Sequence, residues 1–531
     1  MAGRAARRLH PARQGTHPGM TMQSYWMESA PGVPYPVLDR DLQVDVAVVG
    51  GGIAGLSTAW ELARAGRSVA VLEAGRIAAG VTGNTTAKLS ALHTLIYADL
   101  ASSAGPEAAA LYARSQREAI AHLIATATEL GVDCDIERVP SLTYVESADG
   151  VGKLKAEAEA AEQAGLPASF VTESSLPFPI AGAVRVEDQA QFHPRAYLLA
   201  LAEAMTGIGA LVFEGTRVVG LKEGTPCRLT TSEGLTVTAT DVVVATHYPI
   251  FDRSLLFTRM EPHRELVVAA AIPAGQDPGG MFITTEQSTR SVRTAPYEDG
   301  QRLLIVTGES FLPGSGNVGD RLERLRSWTI ERFPGARPTH WWAAQDNDTT
   351  DGVPFVGPLH PGAKHAYVAT GFGGWGMSNG VMSGLLLSTL ITGGSSPWAG
   401  LYDPRRLRPV REAGPALKMQ ATVARHFVGD RLSTAGTGAQ DAIDLLPGEG
   451  TVVKKGGKRC AVYRDETGTL HAVSAICTHM GCVVGFNEAE RSWECPCHGS
   501  RFGVDGVVLQ GPAVAPLEKV DLASGDDDTS G

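Results

Sequence analysis

Val44-Asp45-Val46-Ala47-Val48-Val49 runs straight into Gly50-Gly51-Gly52-Ile53-Ala54-Gly55, and this junction decides the fold. The apolar run fits a buried parallel strand. Gly50, Gly52 and Gly55 match G-x-G-x-x-G. The helix that follows, Ile53 to Ala65, spaces Leu56, Trp60 and Ala63 on one face, and Gly66 ends it. Ser68 to Leu72 returns as a second strand with Glu73 and Ala74 at its tip. In such a unit the first glycine allows the tight turn and the second lets a pyrophosphate approach the backbone. The third lets helix and strand pack closely. The helix N-terminus offers unpaired N–H groups to phosphate. Glu73 stands where a ribose 2′-hydroxyl would donate, and it disfavours a 2′-phosphate. The stretch predicts a bound dinucleotide.

The same pattern occurs twice more, and context separates the three. Gly314-Ser-Gly316-Asn-Val-Gly319 has no strand running into it and reads as a loop. Gly371-Phe-Gly373-Gly-Trp-Gly376 follows a strand and opens a helix, yet no carboxylate follows about 20 residues on.

At 531 residues the chain has room for two to four domains, and 43% hydrophobic with 19% charged residues marks a globular protein. The net charge of −11 gives no support to nucleic-acid or anionic-membrane partners. Val381 to Ile391 is too short an apolar run to span a membrane. Arg4, Arg7, Arg8 and Arg13 precede no apolar segment, so residues 1–22 read as a disordered extension, or as sequence upstream of a true start at Met20 or Met22. A presequence helix is disfavoured by Pro11, Gly15, Pro18 and Gly19. Of seven cysteines, four crowd between Cys477 and Cys497, which argues for a metal site and a cytoplasmic location rather than an oxidising compartment.

Along the chain, Glu107 to Leu130, Val151 to Ala164 and Leu322 to Phe333 read as helices, and Pro194 opens another. Thr216 to Thr240 reads as a β meander and Asp241 to Thr246 as a separate buried strand. Glu265 to Ile272 and Arg302 to Thr307 are further strands. The expected fold class is α/β plus all-β. A Rossmann-like nucleotide-binding domain carries an inserted β-rich substrate domain, and a small β domain follows. The oxidoreductase part spans 23–405, with nucleotide-binding pieces at about 40–100, 185–250 and 340–400 and substrate pieces at about 101–184 and 251–339. A linker with a possible bridging helix covers 406–438, the β domain 439–523 and an acidic disordered tail 524–531.

Cys477-Thr-His479, then fifteen residues, then Cys495-Pro-Cys497-His498 supplies two thiolates and two imidazoles in paired loops. That set suits a [2Fe–2S] centre with cysteines on one iron and histidines on the other. Zinc also takes two cysteines and two histidines, though usually from C-x2–4-C, and it leaves Cys482 and Cys497 without a role. The segments Cys477-Thr-His-Met-Gly-Cys482 and Cys495-Pro-Cys-His-Gly-Ser500 resemble the two loops of a Rieske domain of the respiratory type. The resemblance implies Cys477, His479, Cys495 and His498 as ligands and a Cys482–Cys497 disulfide tying the loops. It also implies a covering loop at Gly511-Pro512-Ala513 and a donor hydroxyl at Ser500. Phe502 departs from the respiratory pattern, where a tyrosine bonds a ligand sulfur; losing that donor lowers the expected potential.

The first 400 residues or so resemble the D-amino-acid oxidase/glycine oxidase family of FAD-dependent oxidoreductases. The resemblance rests on Gly50 to Gly55 with Glu73, on Gly80 to Lys88, and on Asp351-Gly-Val-Pro354-Phe-Val-Gly357 followed by Gly371 to Asn379. It implies FAD held by the glycine turn, by Thr85 and Thr86, and by Gly371, Gly374, Trp375, Gly376 and Met377 at the N1/O2 edge of the ring. The whole chain, with Thr85-Thr-Ala-Lys88-Leu-Ser-Ala-Leu-His93, resembles bacterial FAD-dependent oxidoreductases carrying C-terminal Rieske domains. Lys88 and His93 are the candidate catalytic residues. His193, Arg195, Arg264 and Arg293 lie where an arginine would clamp a substrate carboxylate. Gln345, Asp346 and Trp375 are candidates for the pocket wall.

The expected function is oxidation of an amine or amino acid by hydride transfer to flavin. Electrons then pass singly to the cluster and on to an external acceptor. Two alternatives are a FAD/Rieske reductase feeding an oxygenase and an oxidase with a Rieske regulatory module. Against the reductase, the chain holds no second valid nucleotide fingerprint.

Overall fold

The computed structural model describes residues 19–251, 253–408 and 444–522, together with 412, 414, 417–419 and 421. Leu42–Val49 forms the middle of an eight-stranded sheet because its residues are apolar on both faces; Val46, Ala47 and Val48 are fully buried. It runs parallel to Val69–Leu72 on one side and to Thr236–Val244 on the other. Leu211–Phe213 closes one end, and Ala366–Thr370 followed by Phe355–Pro358 closes the other. The helices Ile53–Arg64 and Gly376–Ile391 pack together above this sheet.

The expected break between a meander and a separate strand at Asp241 does not occur. Thr236–Val244 is one continuous strand, antiparallel to Cys227–Thr231 through its first half and part of the parallel core through its second. Asp241 is tolerated mid-strand because His365 Nδ1 lies 2.9 Å from its carboxylate.

A second, ten-stranded sheet is mainly antiparallel and centres on the long strands Met260–Pro273, Gln301–Phe311 and Arg337–Thr349. Two expectations change here. Arg337–Thr349 overlaps the piece assigned to nucleotide binding, yet it pairs along its whole length with Met260–Pro273 in this sheet. Residues 19–22 do not belong to a disordered extension: Thr21–Met22 pair with His340 and Trp341, and Met20 is buried in the sheet's apolar core. Helix Pro106–Glu129, placed in the substrate part, packs against helix Gly376–Ile391 of the nucleotide-binding part.

The C-terminal domain has a three-stranded sheet of Gly450–Lys455, Lys458–Arg464 and Leu470–Ser474. Beside it lies a four-stranded sheet of Gly485–Asn487, Ser492–Glu494, Arg501–Gly503 and Val508–Gln510. The connection into it begins under restraint, since Arg406 grips the Asp351 carboxylate through Nε at 2.7 Å and Nη2 at 2.8 Å. Most of the expected linker with its bridging helix, and the acidic tail, lie outside the described residues. Among the described residues no helix is long and apolar enough to cross a membrane.

Candidate functional site

The glycine turn has the shape a pyrophosphate needs. Gly50 has φ +108°, and a Cβ there would lie 2.4 Å from the Ala245 carbonyl oxygen. A Cβ on Gly55 would lie 2.0 Å from the Gly50 carbonyl oxygen, so helix and strand meet only through glycine. The helix starting at Ile53 has no side-chain cap; Ile53 N–H donates to Thr82 Oγ1, and the N–H groups of Ala54 and Gly55 face forward. Glu73 accepts from Gly51 N–H and Gly75 N–H at 2.7 Å each. Burial still pushes its carboxyl up, and its remaining lone pairs suit a ribose hydroxyl. These residues fit the nucleotide half of FAD.

The stretch from Asn84 to His93 is held rigidly by its backbone. Trp26 Nε1 donates to the Thr85 carbonyl, Trp342 Nε1 to Asn84, and Arg293 Nη1 to Thr86 and Ala87. Lys88 emerges from this frame buried, with its amine on Ser291 Oγ. Burial pushes its pKa down to about 7, against the pull of the Glu265 carboxylate. His93 stacks on Trp375, ring centroids 4.5 Å apart, and its ring nitrogens meet Tyr112, Ser90 and Ser378. Burial pushes it down to about 3, which leaves it neutral.

A cavity of about 220 Å³ opens between this frame and the second glycine-rich stretch, lined among others by His93, Tyr112, Asp348, Gly371, Phe372 and Trp375. The helix Gly376–Ile391 points its uncapped N-terminus here, so Gly376 and Met377 offer open N–H groups. Gly374 N–H is already taken, at 2.7 Å, by the Asp346 carboxylate.

Strand alternation explains the charge gathered beside the cavity, of which Asp348 reaches its wall. Glu261, His263 and Glu265 share one face of Met260–Pro273, next to Asp346 and Asp348 on the paired strand. His263 Nδ1 lies 3.3 Å from Asp348, and His247 Nε2 lies 3.7 Å from Asp346. Burial raises the Asp348 and Glu265 carboxyls, whereas His247 overcomes burial and holds Asp346 below the usual carboxylate range. Asp346 belonged to the expected wall; Glu265, His263 and Asp348 did not. Their signal was the alternation of His263 and Glu265 in a strand otherwise apolar beyond Leu266.

The expected arginines are spent elsewhere. Arg195 donates to the carbonyls of Ala30, Pro31, Ile77 and Ala78. Arg293 serves the frame just described. His193 caps the helix at Pro194 by accepting from Ala196 N–H. Arg264 faces away from the cavity and pairs with Glu490 and Glu494 of the C-terminal domain.

In that domain Cys477 and Cys495 are buried beside one another, and Cys482 and Cys497 form a disulfide between the two loops. The rings of His479 and His498 lie 5.0 Å apart. Both Nδ1 atoms are buried and have no hydrogen-bond partner among the described residues. Burial pushes the imidazoles down to about 4 and about 3, into the neutral form that binds metal. Ser500 Oγ accepts from Ala513 N–H, which leaves its own proton to donate. Phe502 is buried in the domain core. Two thiols and two unengaged imidazole nitrogens fit a [2Fe–2S] cluster.

The ligand loop lies directly on the flavin-binding half. The His498 ring sits 5.9 Å from Tyr248 and 5.7 Å from Phe257. Gln345 Nε2 donates to the Gly499 carbonyl at 3.1 Å, and a Cβ on Gly499 would lie 2.2 Å from that nitrogen. Arg264 and Glu494 are both fully buried, Arg501 joins them at 3.0 Å, and Gly314 N–H donates to Glu494 at 3.0 Å. The loop at Gly314 that mimics a nucleotide fingerprint is therefore part of this interface.

Comparison with known proteins agrees with both halves. Residues 45–390 match the FAD dependent oxidoreductase (DAO) family, and residues 438–521 match the Rieske [2Fe-2S] domain, which decides between iron–sulfur and zinc for the same donors. The chain is 32% identical over 502 residues to the Rieske 2Fe-2S iron-sulfur protein YhfW of Bacillus subtilis (strain 168), covering 94% of this chain and 98% of that one. It is 41% identical over 103 residues to the chloroplastic cytochrome b6-f complex iron-sulfur subunit of Pisum sativum, covering 17% of this chain and 45% of that one. Glycine oxidase from Geobacillus kaustophilus has the same fold over 69% of this chain and all of that one, with a TM-score of 0.57 at 22% identity.

Proposed function

The chain belongs to the FAD dependent oxidoreductase family and carries a Rieske [2Fe-2S] domain, and on that premise we propose that it is an amine or amino-acid dehydrogenase whose electrons leave through the cluster. Bound FAD supplies hydride acceptance, and a Rieske cluster accepts one electron at a time. The observation that carries the reading is the use of two strands from both sides. Asp348 lines the cavity from one face of the paired strands Met260–Pro273 and Arg337–Thr349, and Asp346 and Glu265 lie on that same face. Arg264 and Gln345, on the other face, hold the domain and the loop that bear His498. Only one layer of sheet stands between the cavity and the cluster's ligand.

In this reading the protein's own residues orient the substrate and move its proton. Lys88, about half neutral near pH 7, is the proton acceptor. His93 stays neutral and fixes the plane of Trp375 at the cavity wall. Tyr112, Ser90 and Ser378 hold His93 itself.

The test is anaerobic. Holoenzyme is mixed with amines, N-methyl amino acids and D-amino acids, and flavin absorbance and the cluster's EPR signal are followed in one sample. Flavin bleaching followed by a Rieske signal is the expected result. Reduction of both centres by NADH, with no response to any amine or amino acid, would replace this reading with a reductase.

A further inference from the structure

The segment that leaves strand Thr236–Val244 turns sharply and then lies across the C-terminal domain. His247 sits at φ +67°, a left-handed conformation that a residue with a Cβ adopts only under constraint. Two hydroxyls pin the turn. Thr370 Oγ1 donates to the His247 carbonyl at 2.5 Å, and Thr246 Oγ1 donates to the Tyr248 carbonyl at 2.7 Å. The turn parts two neighbours in sequence. The His247 ring stays beside Asp346 and Asn347, and the Tyr248 ring goes to the metal ligands.

What the segment covers is the histidine edge of the metal site. Tyr248 lies 5.9 Å from the His498 ring and 6.5 Å from the His479 ring, and Phe257 lies 5.7 Å from His498. A Cβ on Gly511, in the loop expected to cover the cluster, would lie 3.4 Å from Ile250 Cγ2. A Cβ on Gly499, next to His498, would lie 3.0 Å from Pro262 Cβ. His498 and Tyr248 are each only 2% exposed, so water is kept from this edge by side chains of the FAD-binding half.

That cover acts on charge. Two ferric irons, two sulfides, two thiolates and two neutral imidazoles sum to zero, so the reduced cluster carries one negative charge. Keeping water from a site disfavours its charged state, and the apolar shell around a metal centre is one of the levers on its potential. We propose that Tyr248, Ile250 and Phe257 form a water-excluding shell over the His498 edge and hold the cluster's reduction potential below the value it would have with that edge in water. The oxidoreductase half thereby tunes a centre whose four ligands all lie in the other domain. The effect adds to the missing donor at Phe502, which acts from within the C-terminal domain. It does not rest on the dehydrogenase reading, since it concerns the cluster alone and needs no substrate.

The experiment is a potentiometric titration of full-chain holoenzyme at pH 7 with dithionite and mediators, the cluster's EPR signal being read against potential. The substitutions are uncharged, so that the cover alone changes. Arg264→Met is unsuited here because it also removes a charge beside Glu494. Tyr248→Ser combined with Phe257→Ser should favour reduction about tenfold, a rise of about 59 mV for one electron, and each serine alone should give part of that. Tyr248→Leu, which keeps an apolar side chain, should stay at the wild-type potential. Unchanged EPR line positions and melting temperature serve as controls for the ligand set and the fold. If the double variant does not load iron, the single variants carry the same comparison. A potential in the serine variants equal to or below that of wild type overturns the proposal. Equal shifts in Tyr248→Ser and Tyr248→Leu also overturn it, because ring packing and not exclusion of water would then set the potential.

Discussion

Two acidic clusters lie back to back on the same pair of strands, and they differ in one respect. On the outer face Glu490 and Glu494 meet Arg264 and Arg501. Asn487 donates to both carboxylates at 3.0 Å. On the inner face Glu265 has no such partner among the described residues, Asp348 has His263 at 3.3 Å, and Asp346 has His247 at 3.7 Å besides the N–H groups of Gly374 and Asn347 at 2.7 and 2.8 Å. Complete neutralisation marks an interface between domains. The inner carboxylates have no arginine or lysine within ion-pair distance among the described residues and are only partly neutralised. Arg264 and Glu265 are neighbours in sequence, and strand alternation alone sends them to opposite duties.

The sharpest way to break this contrast is Arg264→Met. It leaves Glu494 buried with half its counter-charge, and breaking a buried pair costs about 3–5 kcal/mol. Hydrogen exchange should rise at 485–499 and at 312–319, and the C-terminal domain should melt apart from the rest. Unchanged protection at both segments would show that the arginine does not hold the domains together.

The inner face should respond in the opposite sense. Glu265→Gln removes a carboxylate that burial already disfavours, so melting temperature should hold or rise by about 2 °C, on the scale of 1 kcal/mol per 2–4 °C for large domains. A fall as large as that from Arg264→Met would mean the inner cluster is structural too.

The junction from Val44 to Gly55 and the four metal ligands were legible because each is a local pattern whose chemistry depends on close spacing in the chain. The roles of Arg264, Gln345 and Gly314 were not. Arg264 meets Glu494 across 230 positions, and nothing local tells which face of a strand looks at a cavity. Arg195 and Arg293 misled for a related reason. A buried arginine is as useful to orphaned carbonyls as to a substrate, and only the folded backbone shows where those carbonyls are.

Lys88 supplies a finer test of the inner face. Its pKa is lowered from 10.5 to about 7 because burial disfavours the charged amine. The neutral form therefore appears as pH rises through about 7, and the rate of flavin bleaching by an amine should climb there and level off above. Lys88→Met should flatten that profile at a lower rate. A wild-type profile flat from pH 6 to 8 would exclude Lys88 as the proton acceptor.

The smallest effect concerns the ring contacts on His498. Tyr248→Leu removes two ring contacts, with His498 and with His479, each worth about 0.5–1.5 kcal/mol, and should slow cluster reduction a few-fold without opening the interface. Hydrogen exchange at 485–499 unchanged from wild type would accompany it. Increased exchange there would place Tyr248 among the groups that hold the domains together.

The most direct test of the central claim, that electrons cross the docked interface, is anaerobic rapid mixing of wild type and Arg264→Met with one amine that bleaches the flavin. Flavin absorbance and freeze-quenched EPR of the cluster are read from the same mixing times. Equal flavin bleaching in the two proteins, with cluster reduction at least tenfold slower in the variant, is the predicted result. Cluster reduction at the same rate in both, or no cluster reduction in wild type after full bleaching, would contradict the account.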